Sequence, residues 1–451
     1  PPPPPRPPPP PHPPPRLAPP QPAAGGALRH SATIYYGEYL TPHENSYLFQ
    51  AWLFLQGKLS LPCPPLEEAF FHPMIICDDQ LGWASRYAPG HSAWLVPGVA
   101  LGYPQLMSAV AAFITVWFIT AAGEKLDIPA WCTGLMLLIS PYFWLLWGSI
   151  LSHTSGLAFT AIMLWAYLAW TQDRKLGYAI IAGLAWAGLS LNRSYTALWI
   201  ALPFAVDALI RLSQNRNWHQ LSGTVLFAAC AGLGVILDLV YHYLLTGDPL
   251  LPPFLYYNPS EGPGFHMVNG HEHTAAIGLE FLRNNSSELT TSLWGFPGSL
   301  LLWLGLVLFG CRRDLSPLLL ASTFLVWISY IAFWFPGIRE LPSIYYYETL
   351  PFMLLAAGLG LQRLGSLPGR TPRWNKLLVG VLLGVILPAA LHTFLEKAHS
   401  ISKRTDYTHK FQQVIHDVPP GAIVILRGLH KDILAHNSWN PHGLQSQPLI
   451  I

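Results

Sequence analysis

Charged residues are scarce in this chain, and their scarcity excludes whole classes of protein. They make up 11% of the 451 residues, where a soluble domain carries about 25%. A soluble chain of this length would lack the charge to cover its surface, so a soluble enzyme is not expected. The net charge is +2, which leaves no basic excess to neutralise phosphates, so no nucleic-acid partner is predicted.

The N-terminus lacks the apolar stretch of a signal peptide. Sixteen of the 44 prolines fall within the first 22 residues, and such a tract forms polyproline II rather than a packed core. Residues 1–30 are interpreted as a disordered Pro-rich tail, and a PxxP ligand for a partner domain is the alternative.

From residue 104 the chain is a series of long apolar runs, each close to the roughly 20 residues that cross a bilayer. Ten transmembrane spans are predicted: 104–121, 129–148, 153–171, 177–191, 195–211, 222–245, 297–310, 316–335, 347–362 and 377–395. The sequence therefore predicts an all-α, polytopic membrane protein with a bundle over 104–395. The segment 91–103, broken by Pro97 and Gly98, is predicted to be an interfacial helix.

Lysine and arginine in the short loops assign sides to the bundle, because cytoplasmic loops are enriched in them. One alternating set of loops carries eleven cations: Lys125, Arg174, Lys175, Arg211, Arg216, Arg312, Arg313, Arg363, Arg370, Arg373 and Lys376. The other set carries only Arg193 and Arg339. The first set is therefore cytoplasmic, and residues 31–103, 246–296 and 396–451 are exterior. No predicted span precedes 31–103, so a first transmembrane helix is expected to be missing from this sequence, and translocation of the N-terminal loop without one is the alternative.

The exterior C-terminal segment, 396–451, is not apolar enough to span a membrane, and GAIVILRG (421–428) predicts one strand. The five cysteines contain no CxxC pair, so neither a zinc ribbon nor a redox motif is indicated. Cys63 and Cys77 share one exterior segment and would pair in an oxidising compartment, although free thiols are the favoured interpretation.

The first exterior segment carries several groups that suit transfer chemistry. Glu44 lies where an apolar-periodic helix begins, either as a proton acceptor or as a first-turn acid favoured by the helix dipole. Arg86 suits bidentate phosphate binding, and Tyr87 suits contact with a sugar. The remaining candidates in this segment are Asp78, Asp79 and His91, for which a solvated turn is the alternative.

The second long exterior segment contains His266, His271, Glu272 and His273. Their spacing matches no standard zinc or manganese site. A metal site is therefore the alternative, and His266 and His271 are predicted to face a substrate headgroup.

Further candidates lie at the exterior ends of the spans, where they could converge on one cavity at the membrane surface. They are His153, Arg193, Arg339, Glu340, Tyr346 and Tyr347. Asp238 and His242, four residues apart in one span, are either functional or a satisfied internal pair. Several arginines beside carboxylates at one level suit a lipid-linked phosphate donor.

An ordered set of pieces resembles the GT-C superfamily of membrane glycosyltransferases, in particular the bacterial family-39-type members related to protein O-mannosyltransferases and the aminoarabinose transferase. The pieces cover residues 33–365 and are PHENSYLFQAWLFLQGKL, DDQLGWASRYAPGHSAWLVPG, SHTS, NRSYTAL, LTGDPLLPPFLYYNP, GFHMVNGHEHT, LWGFPGSLLLW and YYYETLPFMLLAAGLG. The order of these pieces makes the resemblance specific.

The resemblance implies a GT-C-type helical bundle that transfers a sugar from a polyprenyl-phosphate donor to an acceptor on the exterior face of a membrane, expected to be the bacterial inner membrane. It implies a catalytic role for Glu44, with His43 standing in place of the first acid of the family's usual pair, and it implies no obligatory metal or other cofactor. It makes Arg86, Arg193 and Arg339 candidates for the donor phosphate. A transporter or lipid flippase, and an inactive relative of the enzymes, are the alternatives.

Overall fold

The computed structural model describes residues 34–35, 39–64, 70–214, 217–312, 315–338, 341–367, 372–416, 423–424 and 449–450. The Pro-rich tail, Arg339, Glu340 and most of the C-terminal segment after residue 416 lie outside this part of the chain. The described part is almost entirely helical. This confirms the predicted all-α, polytopic membrane architecture.

The apolar runs form the main helices of the protein. Their bounds are α1 Pro42–Leu55, α2 Pro89–Ala100, α3 Gln105–Glu124, α4 Ala130–Leu138, α5 Pro141–Trp147, α6 Ser152–Asp173, α7 Leu176–Gln214, α8 Trp218–Thr246, α9 Pro253–Tyr257, α10 Ala275–Ser292, α11 Ser299–Gly310, α12 Ser316–Ser329, α13 Leu350–Leu364 and α14 Pro372–His416. Among the described residues, short 3₁₀ helices cover Pro259–Glu261, Tyr330–Ala332 and Ile344–Thr349. All ten predicted spans therefore lie on helical segments.

Two predicted spans share one helix, and another is broken. α7 covers both 177–191 and 195–211 and changes direction at Arg193, whose backbone is not helical. The span over 129–148 consists of α4 and α5, which meet at an angle of 64°. The break falls where Ser140 and Pro141 begin a new helix, because proline favours a helix start and cannot donate inside one.

Four helices in the described part of the chain are long and apolar enough to cross a membrane alone, or five if α4 and α5 form one span. They are α3, α7, α8 and the part of α14 over Val379–Asp406. α6 lies at the centre of the bundle and is buried on nearly all sides, as expected of a helix that is apolar all round. α8 and α14 leave most of their apolar surface exposed, as helices that face lipid do.

The ends of several helices meet on the side that the cation count assigns to the cytoplasm. Lys125, after α3, pairs with Asp173 at the end of α6 at 2.7 Å. The Gln362 side chain in α13 donates to the Asp127 carbonyl at 2.7 Å, and Arg363 Nη1 donates to the Phe309 carbonyl in α11 at 2.9 Å. The starts of α6 and α13 and the kink in α7 consequently lie at the opposite end of the bundle.

The segment that the cation count assigns to the first exterior loop contains α1, a small hairpin and α2. Strands β1 (Ile75–Asp78) and β2 (Gly82–Ser85) pair antiparallel, and Gly82 adopts a φ of +79° at the turn. Cys63 and Cys77 form a disulfide, with Cα atoms 5.6 Å apart. The favoured interpretation of free thiols was therefore wrong. The fold places Cys77, in β1, next to Cys63, which lies in the segment after α1.

Short strands complete the described elements. β3 (Met267–Val268) and β4 (His271–Glu272) form a hairpin in the second exterior segment. β5 (Ile423–Val424) pairs in parallel with β6 (Leu449–Ile450). The predicted strand over 421–428 is thus present in its central residues. α14 continues to residue 416, so the predicted boundary at 396 falls inside a helix.

Glycines allow α11 and α13 to pack backbone against backbone. A Cβ atom on Gly360 would lie 2.2 Å from the Leu306 carbonyl oxygen, and one on Gly310 would lie 2.2 Å from the Gly360 nitrogen. No real side chain tolerates such distances, and the atoms in the way are backbone atoms that cannot rotate aside. This is the small-residue packing that membrane helices use to approach closely.

We expect Gly360→Ala to destabilise the protein by about 3 kcal/mol, the upper part of the range for overpacking. Gly380→Ala is the matched control, because a Cβ atom there meets nothing within 4 Å and alanine is the better helix former. Thermal unfolding in detergent measures both. Equal melting temperatures for the two variants would show that the α11–α13 contact does not depend on glycine.

Candidate active site

Arg193 lies at the centre of a buried polar cluster. The kink in α7 (φ −150°, ψ 71°) interrupts the helix at this residue. Arg193 Nη1 donates to Ser152 Oγ at 3.3 Å and Nη2 donates to the Tyr330 hydroxyl at 3.0 Å. Nε lies 2.9 Å from Glu348 Oε1, and the guanidinium carbon lies 5.6 Å from the centre of the Tyr345 ring. Its partners therefore hold the guanidinium in one orientation.

Arg86 supplies a second buried cation. It follows β2 directly and pairs with Glu261, and both side chains are about nine-tenths buried. Its guanidinium carbon also lies 5.3 Å from the centre of the Tyr257 ring. Glu261 belongs to the second exterior segment, so a carboxylate from that segment occupies this cation in the present conformation.

The position of Arg86 depends on how the hairpin is tied to α1. Ser46 and Ser85 share a hydrogen bond between their hydroxyls at 2.8 Å. The Ser85 backbone N–H donates to Gln50 Oε1 at 2.9 Å. Ser46 and Gln50 are four residues apart and therefore lie on one face of α1. Because this face holds Ser85, it also positions the next residue, Arg86, in the interior.

Aromatic rings connect the two arginines, since the Arg86 guanidinium carbon lies 5.8 Å from the centre of the Tyr87 ring and Arg193 lies over Tyr345. We call Tyr47, Tyr87, His43, Phe335 and Tyr345 the aromatic wall. The ring centres of Tyr47 and Tyr87 are 4.8 Å apart, those of His43 and Phe335 6.5 Å, and those of Phe335 and Tyr345 6.5 Å. His43 Nδ1 also hydrogen-bonds the Tyr87 hydroxyl. Burial raises the pKa of that hydroxyl well above its usual value, so it stays protonated.

Glu44 is buried beside the aromatic wall with its oxygens already occupied. Oε2 accepts from the backbone N–H of Leu40 at 2.7 Å and of Thr41 at 3.0 Å. Oε1 accepts from the Ile150 N–H at 2.9 Å. Burial raises its pKa to about 7 although these donors oppose the shift. A pKa near neutrality suits a general base, whereas the contacts are those of a helix cap that ties α1 to the start of α6.

His91 is also placed in the wall of the cluster, and both of its ring nitrogens are used. Nδ1 lies 2.8 Å from Ser155 Oγ, and Nε2 lies 2.7 Å from the Ile150 carbonyl oxygen. Burial lowers its pKa to about 3, so the ring is neutral. These contacts give His91 a packing role and leave it no free nitrogen for a substrate.

Asp78 and Asp79 do not join the cluster. Asp78 Oδ1 accepts from the backbone N–H groups of Gln80 at 2.9 Å and Leu81 at 2.6 Å, which closes the hairpin turn, and Asp79 is exposed. Asp78 pairs with Gly82, three register positions from Ser85, or about 10 Å along the strands. The alternative of a turn therefore describes these two residues better than substrate binding.

The histidines of the second exterior segment are also outside the cluster. His266 Nε2 lies 2.8 Å from the Ser260 carbonyl oxygen, His271 is exposed on β4, and His273 Nε2 lies 3.1 Å from the Ile331 carbonyl oxygen. Within the described part of the chain, no three His, Cys, Asp or Glu side chains come together as metal ligands.

The segment 345–348 contributes Tyr345 and Glu348 to the cluster, whereas Tyr346 and Tyr347 were predicted. Tyr346 stacks on Trp327, and the Tyr347 hydroxyl donates to the Phe143 carbonyl at 2.9 Å, so both belong to the core. Tyr345 and Glu348 reach the cluster instead. They are three apart in a 3₁₀ helix, where i and i+3 lie on one face.

The remaining candidates are two pairs of charged or titratable residues. Asp238 and His242 form an internal pair at 3.4 Å, and His242 Nδ1 also approaches the Pro249 carbonyl at 3.2 Å. Arg339 and Glu340 lie outside the described residues, so their predicted roles stay predictions. Of the predicted site residues, the structure brings together His43, Arg86, Tyr87, His153 and Arg193, with Glu44 and His91 supporting them.

Two solved structures share the fold of this chain. ArnT from Cupriavidus metallidurans in the apo state aligns over 94% of this chain and 84% of its own, with a TM-score of 0.54 and 15% identity. ArnT from the same organism bound to undecaprenyl phosphate aligns over 91% and 83%, with a TM-score of 0.53 and 15% identity. No family model and no curated protein matches the sequence. The chain therefore has the fold of ArnT, in agreement with the fold that the resemblance implied.

Proposed function

Starting from the fold that this multi-pass membrane protein shares with ArnT, we propose that it transfers a sugar from a polyprenyl-phosphate-linked donor to an acceptor. The observation that carries the proposal is Arg193. Its guanidinium is held at the bundle end by Ser152, Tyr330 and Glu348 and borders the aromatic wall. One of the ArnT structures has undecaprenyl phosphate bound, which is the class of lipid that such a site would accept.

Charge gives the two arginines their role in this reaction. The phosphodiester of a lipid-linked sugar carries one negative charge, and the departing lipid phosphate gains a second. A preorganised guanidinium in a site with little water stabilises that developing charge. Arg193 is already fixed in place, whereas Arg86 becomes available to the phosphate only when Glu261 moves away with its exterior segment.

The aromatic wall suits the rest of the donor. Tyr47, Tyr87 and Tyr345 present apolar ring faces for a sugar ring. The site needs no metal for this chemistry, since its cations are arginines.

The proposed reaction takes place on the exterior face of a membrane. Two observations support this orientation: the cation-rich loops lie at the opposite end of the bundle, and the Cys63–Cys77 disulfide lies on the side of the site. Disulfides persist in oxidising exterior compartments. The membrane that we propose is the bacterial inner membrane, with the site outward.

A transfer assay in proteoliposomes tests the proposal. Purified protein is given radiolabelled undecaprenyl-phosphate pentoses and hexoses with an envelope lipid and glycan extract, and released undecaprenyl phosphate and labelled acceptor are counted. We expect both products in equal amounts. Movement of the intact donor across the bilayer without transfer would favour a flippase, and donor binding without either event would favour an inactive relative.

A further inference from the structure

Glu348 and His153 form a buried carboxylate–histidine pair beside Arg193. His153 Nδ1 lies 3.0 Å from Glu348 Oε1, and the Glu348 side chain is 0% exposed. We propose that His153 is the base that removes the acceptor's proton and that Glu348 positions it. This proposal rests on the proposed transfer function and assigns its proton acceptor.

The surroundings of Glu348 are built to hold a carboxylate in one place. Oε1 contacts both His153 Nδ1 and Arg193 Nε, at 3.0 and 2.9 Å. A Cβ atom on Gly156, one turn after His153 in α6, would lie 3.0 Å from the same oxygen, so glycine leaves room for it. The second oxygen, Oε2, is buried without a hydrogen-bond partner among the described residues. A buried polar atom without a partner calls for an explanation, of which a catalytic role is one.

The pairing sets the tautomer of His153. A carboxylate beside a guanidinium accepts a hydrogen bond, so Nδ1 carries the proton and Nε2 carries the lone pair. Within the described part of the chain, no group hydrogen-bonds Nε2. The ring lies 6.1 Å from Tyr345 of the aromatic wall. His153 therefore has one nitrogen fixed and the other available.

Glu44 and His91 lack this availability. The oxygens of Glu44 accept from three backbone N–H groups, and both nitrogens of His91 have partners. A base must reach the proton that it removes. Of these three buried groups, His153 alone combines a positioning partner with a free acceptor atom.

The proposed step balances as a nucleophilic displacement. The acceptor oxygen forms a bond to the anomeric carbon while the bond between that carbon and the phosphate oxygen breaks, and its electron pair leaves with the polyprenyl phosphate. The acceptor proton moves to His153 Nε2. Glu348 then faces an imidazolium, and Arg193 faces the departing phosphate. The proton returns to exterior water before the next turnover.

The test compares His153→Asn with wild type in the proteoliposome assay across pH 5 to 9. Asparagine keeps an N–H donor for Glu348 but cannot accept the proton. We expect kcat to fall about 10²- to 10⁴-fold, the usual contribution of a general base, with the donor KM unchanged. The wild-type rate falls at acidic pH as the base becomes protonated, and the variant lacks this dependence. Glu348→Gln is expected to lower kcat and to shift the pH at which the rate falls on the acidic side, the acid limb of the profile. Glu348→Asp is expected to retain part of the rate that Glu348→Gln loses.

Matched variants separate this role from a structural one. His219→Asn, near the opposite end of the bundle, keeps the wild-type rate and pH profile. Binding of undecaprenyl phosphate and the melting temperature show that each variant is folded, and His153→Gln replaces His153→Asn if the latter does not fold. If the wild type is active and the His153 variants keep its rate or the acid limb of its pH profile, the assignment of His153 and Glu348 is wrong, but the proposed transfer function stands. A folded wild type that transfers no sugar overturns both.

Discussion

Arg193→Lys is expected to lower sugar transfer about 10³-fold. Lysine keeps the positive charge, so Glu348 is not left as a buried unpaired carboxylate, a defect that costs about 3–5 kcal/mol. A single ammonium cannot contact Ser152, Tyr330 and Glu348 in the fixed plane of the guanidinium, and the two side chains are not interchangeable at such sites. The loss matches that of a preorganised group which stabilises developing charge.

The rate of undecaprenyl phosphate release in a single turnover measures the effect of Arg193→Lys on sugar transfer. Arg283→Lys is the control, because Arg283 is exposed on α10 and should retain the wild-type rate. Because the interaction strengthens as the leaving phosphate gains charge, kcat is expected to fall more than affinity for undecaprenyl phosphate. Transfer within twofold of wild type in Arg193→Lys would remove this residue from the proposed phosphate site.

The stability of the protein is expected to depend on two buried groups with opposite effects. The folded-state pKa of Glu44 is about 7 against an ordinary value of 4.5, so its contribution is fully present below pH 4.5 and is lost as the pH rises through 7. The folded-state pKa of His91 is about 3 against 6.5. The unfolded chain therefore takes up this proton first, and stability is lost as the pH falls from 6.5 towards 3.

These pKa differences correspond to roughly 3 kcal/mol for Glu44 and roughly 5 kcal/mol for His91. Between pH 6.5 and 4.5 the two nearly cancel in the wild type, and below pH 4.5 only the loss from His91 continues. When the pH falls from 7 to 4.5, the melting temperature of His91→Asn should rise, whereas that of the wild type should change little. In Glu44→Gln, the melting temperature should fall as soon as the pH drops below 6.5.

Melting temperatures in detergent across pH 3 to 8 test this pair, with Glu280→Gln on the exposed face of α10 as the control. The comparison uses the shape of each pH curve, so a constant loss of stability in a variant does not affect it. Parallel curves for the wild type, His91→Asn and Glu44→Gln would show that neither group titrates between the folded and unfolded states as described.

The apolar runs were sufficient to predict the bundle, because hydrocarbon forces backbone groups to pair within helices. They could not show that α7 joins two spans through a kink at Arg193. The length of an apolar run limits where a helix can cross, but the packing of neighbouring helices decides where it bends. The kink matters, since it is what directs Arg193 to the site.

Residue type predicted Arg86, Tyr87, His153 and Arg193, yet it missed the role of Glu348. The glutamate follows three tyrosines, and which of the four residues faces the site depends on the 3₁₀ turn at 344–349. A helix with 3.6 residues per turn would present them differently. Residue type also could not show that Asp78 accepts from the backbone N–H groups of a turn, because that contact depends on the conformation of the hairpin.

By itself, the sequence determined that this is a helical membrane protein with cation-rich loops on one side and its polar chemistry on the other. Hydropathy and charge act locally along the chain, so they can be read without a structure. The tertiary structure alone decided that Glu348, His153 and Arg193 meet although they are up to 195 positions apart. It also decided that Glu44 is enclosed by backbone donors, because burial and hydrogen bonding depend on which segments pack together.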